Sequence, residues 1–293
     1  MITGVINVNK TKGYTSQDVV AVIKKTLGVK AGHTGTLDPI ATGVLPVCVG
    51  KATKIADFFQ AGEKEYIAVM RLGIATDTED ITGKITASAE PVTDYGLVEQ
   101  AALSFTGGYE QVPPMYSAVK IDGRRLYKTA REGRVIDRPA RAVVIKNIEI
   151  LGFDPPDVRL RINCMKGTYI RTLVADIGAA LGCGACMAEL VRTNTGPFNI
   201  KNAVTLDEVK NCAANGETAR FLIPADDALD YERLIVKPGF ETLLRNGNKL
   251  PLGAVDGFET YANGERFFLY DGGGLCGIYR PDGDYLYPVA MFV

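Results

Sequence analysis

Residues 32–45 read GHTGTLDPIATGVL, and this stretch decides how the chain around it is interpreted. A single carboxylate, Asp38, lies among small and turn-forming residues, and Pro39 follows it directly. Proline restricts its own backbone and disfavours helix at the residue before it, so the pattern predicts a turn at Asp38. Glycines at positions 32, 35 and 43 would let a ligand approach the backbone closely. Taken alone, these residues fit a plain turn as well as a catalytic aspartate.

The elements that flank this stretch combine a helix with strands. Residues 15–18, TSQD, have the form of a helix-capping box, and an apolar series at helical spacing follows them up to Gly28. Glycine is the usual residue at a helix C-terminus, so the helix is predicted to end there. Residues 44–49 predict a strand, and residues 64–73 alternate as a second strand does, which places Tyr66 on a rigid element.

Two further helices are predicted in the middle of the chain. Helical spacing near Leu97, Ala101 and Phe105 predicts the first, and the apolar pattern over residues 170–181 predicts the second. Arg171 therefore lies at a helix start directly after a strand. Junctions of this kind often direct side chains into clefts.

A hairpin is predicted between these elements, from strands at 143–151 and 158–164 joined across residues 154–156. Strands and helices mix without a regular βαβ alternation. The pattern predicts an α+β fold: a mixed, largely antiparallel sheet with flanking helices.

The composition changes from about residue 231 to glycine, tyrosine and short apolar runs. Residues 281–284, PDGD, are typical of a hairpin turn. We therefore predict a catalytic domain over residues 1–230 and a small β-rich domain over residues 231–293.

Charge and composition limit the possible partners. The chain has 293 residues and a net charge of −1, and no apolar run approaches the length of a membrane helix. We expect a cytoplasmic protein, a monomer without an obligatory protein partner, whose six cysteines are thiols.

One segment of the chain is basic. Residues 120–141 contain eight basic residues and three acidic ones. A solvated charged loop and a phosphate-gripping surface both fit this pattern.

Conventional metal and nucleotide sites are not indicated. The only histidine is His33, which excludes a multi-histidine cage. Cys183 and Cys186 have metal-like spacing without a second pair, so they are interpreted as small apolar residues. Residues 49–53 do not match a phosphate-binding loop, because that pattern requires glycine at position 45 and a hydroxyl residue at position 52, where this chain has Leu45 and Ala52. No metal and no cofactor is predicted.

The stretch that ends at Asp38 resembles the catalytic motif of the tRNA pseudouridine-55 synthase family. Further matches follow in the order of that family: Asn9-Lys10, Gly13-Tyr14-Thr15-Ser16, Lys64-Glu65-Tyr66, Val112-Pro113-Pro114, Tyr116-Ser117-Ala118-Val119-Lys120, Gly167-Thr168-Tyr169-Ile170-Arg171, Leu190 with Arg192-Thr193, and Gly196-Pro197-Phe198. They span nearly all of the first 200 residues. The family commonly has proline at Thr11 and often histidine at Cys186. A weaker match, through residues 244–247 and 286–288, resembles its C-terminal PUA domain.

The resemblance implies isomerisation of a uridine in the T arm of tRNA, after the base is flipped out of its helix. It implies three catalytic residues: Asp38 as nucleophile, Tyr66 as aromatic platform and proton relay, and Arg171 as ion-pair partner of Asp38. Implied substrate contacts are His33, Gly35, Thr36, Leu37, Leu190, Lys10 and Tyr169. Implied RNA contacts, in a basic insertion over about 112–141, are Lys120, Arg124, Arg125, Lys128 and Arg131, with Lys10 and the C-terminal domain extending towards the acceptor arm.

Several alternatives remain open at this point. Attack at C1′ or at C6, and initial deprotonation at C2′, are all compatible with an aspartate nucleophile. The chain could also be a non-catalytic RNA-binding protein on the same scaffold, or the related guide-RNA-dependent enzyme. A third alternative is a hydrolase that uses an aspartate nucleophile on small metabolites.

Overall fold

The computed structural model describes residues 2–117, 119–121, 123–134, 136–256, 261 and 264–293, and only the backbone of Lys120, Arg125 and Arg131. The strands are β1 Gly4–Lys10, β2 Ala31–His33, β3 Thr42–Val49, β4 Lys64–Leu72, β5 Ile74–Thr76, β6 Ile85–Ser88, β7 Gly107–Gln111, β8 Lys120–Ile121, β9 Arg124–Arg125, β10 Arg141–Asp154, β11 Asp157–Cys164, β12 Ala185–Thr195, β13 Phe198–Asn199, β14 Leu222–Ile223, β15 Glu232–Ile235, β16 Leu250–Pro251, β17 Phe267–Asp271, β18 Gly274–Asp282 and β19 Tyr285–Met291. The α-helices are α1 Ser16–Leu27, α2 Tyr95–Leu103, α3 Leu126–Arg131, α4 Ile170–Ala180, α5 Leu206–Ala214 and α6 Glu241–Arg245, with 3-10 turns at Gly50–Gln60, Ile200–Asn202, Thr218–Arg220 and Leu252–Ala254.

One mixed sheet carries most of the first 230 residues. Its strands run in the order β14-β1-β3-β12-β4-β11-β10-β7, with β2 beside β3 and β13 beside β12. Its pairs are antiparallel except β3 with β12, which run parallel where Thr42 meets Val191. The predicted α+β class with a largely antiparallel sheet is confirmed.

Both faces of the sheet are covered, so its central strands β1 and β3 are apolar on both sides. Ile6 and Leu45 face one apolar cluster with helices α1, α2, α4 and α5. Val5 and Val44 face a second cluster with the 3-10 turn Gly50–Gln60 and the C-terminal residues. Burial of both faces holds β3 rigid, and the loop that carries Asp38 enters this strand.

The predicted helices α1 and α4 are confirmed. Thr15 and Asp18 form the reciprocal capping box of α1, and Gly28 ends it in the left-handed conformation. Helix α2 is present, and Ala101 and Phe105 pack against the core as predicted. The prediction was wrong at Leu97, which is 54% exposed, while Val98 and Ala102 are the buried residues of the helix. The error is one position, because Leu97 and Val98 are both apolar and periodicity alone cannot choose between them.

The C-terminal strands form a separate five-stranded sheet in the order β15-β17-β18-β19-β16. Its β18–β19 hairpin turns after Asp282, within the predicted turn. This sheet packs on the back of the large sheet through Phe268 and Ile278, and Lys54 Nζ donates to Met291 O at 2.8 Å. The domain boundary near residue 230 stays a prediction. Within the described ranges, no helix is long and apolar enough to cross a membrane.

Candidate active site

Asp38 lies in the loop between β2 and β3, and its apolar neighbours hold that loop in place. Leu37 and Ile40 are buried on either side of it. The buried Ser16 hydroxyl, at the start of α1, donates to Leu37 O at 3.1 Å and accepts from Leu37 N at 2.8 Å. Leu37 and Ile40 are thus anchored in the core, while the Asp38 side chain between them is 34% exposed to solvent.

Arg171 is the ionic partner of Asp38, and the contact predicted from the sequence is present. Its Nε donates to Asp38 Oδ2 at 2.9 Å and its Nη2 donates to Asp38 Oδ1 at 3.3 Å. The remaining donors bind backbone carbonyls, Nη1 that of Thr78 and Nη2 that of Tyr116, each at 2.8 Å. The side chain of Arg171 is 4% exposed, so a buried cation is fixed against a carboxylate that solvent can reach.

Asp80 organises the loop that presents the Thr78 carbonyl to Arg171. Its Oδ1 accepts from the Thr78 hydroxyl at 2.9 Å, from Thr82 N at 2.9 Å and from the Thr82 hydroxyl at 2.5 Å. Its Oδ2 lies 4.0 Å from Arg171 Nε, which places a second carboxylate beside the guanidinium. Asp80 was not among the predicted site residues, although an aspartate two residues before a threonine is a signal of an Asx turn.

Tyr66 lies on β4 opposite Arg192 of β12, and the next pair on the same face is Ala68 with Leu190. Tyr66 is 7% exposed and Leu190 is 6% exposed. Burial raises the pKa of Tyr66, against the opposing effect of the Arg192 charge, so the hydroxyl is protonated at neutral pH. Strand β3 pairs in parallel with β12 at Gly43 and Arg192, and this pairing brings the Asp38 loop close to Tyr66 and Leu190.

Arg192 is a second buried guanidinium, 1% exposed. Its Nε donates to Val44 O at 2.7 Å and its Nη2 donates to Gly35 O at 3.3 Å, which ties β12 to both ends of the motif. A side chain at Gly43, where φ is +98°, would place its Cβ 2.2 Å from Arg192 O. The expectation that Gly43 makes room for a ligand was therefore wrong, because the glycine admits the neighbouring strand.

The remaining predicted substrate contacts lie along the same loop and at the start of α4. Thr36 is exposed, while His33, Gly35 and Tyr169 are partly exposed. His33 Nδ1 is buried without a hydrogen-bond partner among the described residues, and burial lowers the pKa of His33. The imidazole is therefore neutral at pH 7, which suits stacking better than an ionic contact with phosphate.

Lys10 is wholly buried, which corrects its assignment as a substrate and RNA contact. Its Nζ donates to the carbonyls of Thr11 at 3.1 Å, Tyr14 at 2.7 Å and Pro39 at 3.4 Å. Burial lowers the pKa of Lys10 to about 8. The ammonium group thus joins the turn after β1 to the backbone directly behind Asp38, and no surface is left to meet a phosphate.

We predict that Lys10→Met lowers the free energy of unfolding by about 1–3 kcal/mol, because the carbonyls of Thr11, Tyr14 and Pro39 each lose a donor, and within the described part of the chain only Pro39 O keeps another, Gly13 N. Urea denaturation measures this loss. The salt dependence of RNA binding should not change, and the exposed Lys12, substituted in the same way, should alter neither quantity. A weaker salt dependence in Lys10→Met with unchanged stability would restore the assignment as an RNA contact.

The basic segment begins at the active site, since Tyr116 O accepts from Arg171. Strands β8 and β9 form a short hairpin that leads into α3. Arg124 and Lys128 are exposed on it. The described part of the structure does not include Asp122 or the side chains of Lys120, Arg125 and Arg131. The RNA contacts predicted for these three basic residues therefore lie outside it.

Comparison with known proteins identifies the family. The model of the TruB family pseudouridylate synthase N-terminal domain matches residues 23–170, and the tRNA pseudouridylate synthase B C-terminal domain matches residues 171–230. This chain belongs to the TruB family of pseudouridylate synthases. A tRNA pseudouridine synthase B of Clostridium tetani is 48% identical over 254 residues, covering 85% of this chain and 86% of the relative. That of Burkholderia lata is 41% identical over 295 residues, covering 100% and 91%.

Two solved structures extend the TruB likeness to the whole fold. A chain of a Cbf5–Nop10–Gar1 complex superposes with a TM-score of 0.73 at 28% identity, over 99% of this chain and 85% of that one. A chain of an H/ACA RNP bound to a substrate RNA containing 2′-deoxyuridine gives 0.72 at 26% identity, over 99% and 85%. The resemblance seen in the motifs is thus confirmed, and the alternative of a small-metabolite hydrolase is set aside.

Proposed function

We propose that this enzyme converts the uridine at position 55 in the T arm of tRNA into pseudouridine, with Asp38 as the nucleophile. Isomerisation of a tRNA uridine follows from membership of the TruB family and from the names of its relatives. The observation that supports Asp38 is its carboxylate, held by the buried guanidinium of Arg171 at 2.9 and 3.3 Å while a third of the side chain reaches solvent.

The reaction exchanges one bond of the nucleotide for another. The glycosidic bond between N1 and C1′ breaks, the base turns, and a bond between C5 and C1′ forms. The C5 proton leaves and N1 gains a proton, so the reaction needs no external oxidant or reductant. A transient covalent bond from Asp38 to the nucleotide divides this exchange into easier steps. Arg171 keeps the carboxylate aimed before the substrate arrives.

Tyr66 and Leu190 supply the pocket for the uracil ring. The target base must be flipped out of the T arm, at a cost of a few kcal/mol for lost stacking and pairing. An aromatic face at Tyr66 and an apolar wall at Leu190 recover part of that stacking. We assign the relay of the C5 proton to the hydroxyl of Tyr66, which is protonated at neutral pH. His33, neutral and partly exposed, stacks within the opened RNA loop.

We also propose that the protein acts alone and as a monomer. The test is pseudouridine mapping, by chemical derivatisation, on an unmodified tRNA transcript incubated with the purified protein only. A single modification at position 55 is expected, and none in a transcript with cytidine at that position. A modification elsewhere refutes the assigned site. A requirement for an added guide RNA would favour the guide-RNA-dependent type.

The basic segment supports tRNA binding through phosphate contacts, and Arg124 and Lys128 are two of its exposed cations, beside Arg134 and Arg141. We predict that replacing both with alanine weakens tRNA affinity about tenfold. The slope of log affinity against log salt should fall by about 1.5, because fewer counterions are released on binding. Filter binding at several salt concentrations measures the slope. The double replacement of Lys24 and Lys25, exposed on α1, is the matched control and should keep the slope of the native protein.

A further inference from the structure

Gln111 is a buried amide that touches the helix start of the active site. It ends β7 and is 1% exposed. Its Oε1 accepts from Tyr169 N at 2.8 Å, and its Nε2 donates to Tyr169 O at 3.0 Å. The same Nε2 also donates to the hydroxyl of Tyr109. Both polar atoms of the amide are therefore used, and two of its bonds hold one residue by its backbone.

Tyr169 is the residue on which helix α4 begins. It lies at the N-cap position and makes no side-chain capping bond of its own. Its carbonyl accepts the first helical hydrogen bond, from Leu173 N at 3.0 Å. Gln111 thus fixes the same peptide that starts the helix. Arg171 follows two residues later, so the direction of its side chain depends on how this peptide is held.

The chain that leaves Gln111 returns to the same helix start. Five residues on, the Tyr116 carbonyl accepts from Arg171 Nη2 at 2.8 Å. Residues 111–116 therefore contact α4 twice, once through the backbone of Tyr169 and once through the guanidinium of Arg171. The basic segment continues from this double contact.

We propose that Gln111 is a positioning residue for the Arg171–Asp38 pair, and that it acts through the backbone of Tyr169. The inference rests on the function proposed above. Only a group with a donor and an acceptor side by side matches the N–H and C=O of one residue. A carboxylate lacks the donor, and an apolar side chain lacks both. A misplacement of about 1 Å at a reacting group can cost about 100-fold in rate.

The first test compares Gln111→Met with Asn7→Leu, which removes another buried amide of the sheet. Asn7 is 3% exposed and its Nδ2 donates to Asn199 O at 2.9 Å. Single-turnover rate at saturating tRNA, tRNA affinity and thermal midpoint are measured for each. We expect Gln111→Met to lose about 10- to 100-fold in rate with affinity within about twofold. Asn7→Leu should lose stability and keep its rate. A native rate in Gln111→Met, or an equal loss in Asn7→Leu, would overturn the proposal.

The second test decides the matter even if Gln111→Met fails to fold. In Gln111→Glu, a protonated carboxyl regains the donor and acceptor of the amide, and the ionised form loses the donor. Its single-turnover rate relative to the native protein should rise as the pH falls from 8 towards 5, in the range where the variant is folded. A ratio that stays flat across this range contradicts the proposed role. Absence of product with the native protein would instead refute the proposed function, and the inference with it.

Discussion

Asp38→Asn should reduce the single-turnover rate of pseudouridine formation by at least about 10⁴-fold. The amide has nearly the same shape as the carboxylate but carries no charge, so it cannot form the covalent bond to the nucleotide. The affinity for tRNA should stay within about threefold, because the proposed phosphate contacts lie elsewhere. Quantitative derivatisation of one transcript over time, with enzyme in excess, measures the rate.

Asp157→Asn is the matched control for this substitution. Asp157 accepts from Arg71 at 2.8 and 2.6 Å, and its side chain is 38% exposed, close to the 34% of Asp38. It lies at the far end of β11, away from the motif. We expect native activity in this variant. If Asp38→Asn kept more than about a tenth of the native rate, the assignment of the nucleophile would be wrong.

Arg171→Lys should lower the single-turnover rate by about 10²- to 10³-fold. The three nitrogens of the guanidinium donate hydrogen bonds to Asp38 and to two backbone carbonyls. A lysine ammonium is a single point charge and cannot make the same planar set of hydrogen bonds. Asp38 would keep a nearby positive charge but lose its fixed orientation. The rate should fall while tRNA affinity stays close to native, since Arg171 is buried and does not reach phosphate.

The same comparison can be made at an ion pair without a catalytic role. Arg71 binds Asp157 in the same two-point manner, with its side chain 39% exposed. Arg71→Lys should cost at most about 1 kcal/mol of stability and leave the rate unchanged. Arg171→Met should cost more, about 2–4 kcal/mol, because the Thr78 and Tyr116 carbonyls lose their donor. Equal rates in Arg171→Lys and the native protein would remove Arg171 from the mechanism.

Much of the fold could be predicted because its signals are local. The capping box at Thr15 and the glycine at Gly28 delimit α1 without help from the rest of the chain. The alternation in β4 reflects a strand with one face in the core. Helix α2 shows the limit of this reasoning: adjacent apolar residues at 97 and 98 leave its buried face undecided until the sheet is present.

The active site was predictable only in part. The motif around Asp38 and the helix start at Arg171 are visible in the sequence, and their contact follows once the strands are assembled. The buried state of Lys10, the strand contact at Gly43, the position of Asp80 beside Arg171 and the role of Gln111 were not predictable. Each of them depends on atoms that come from a distant part of the chain, as when Gln111 meets Tyr169 across 58 residues.

The sequence by itself determined the chemistry available here: one carboxylate in a rigid turn, one arginine at a helix start, and an aromatic residue on a strand. Tertiary structure decided which of these groups are buried and which are aimed at each other. The physical reason is that a buried guanidinium needs an acceptor for each of its donors. The acceptors that Arg171 binds come from three separate segments of the chain, at Asp38, Thr78 and Tyr116. Only the folded sheet brings these segments together.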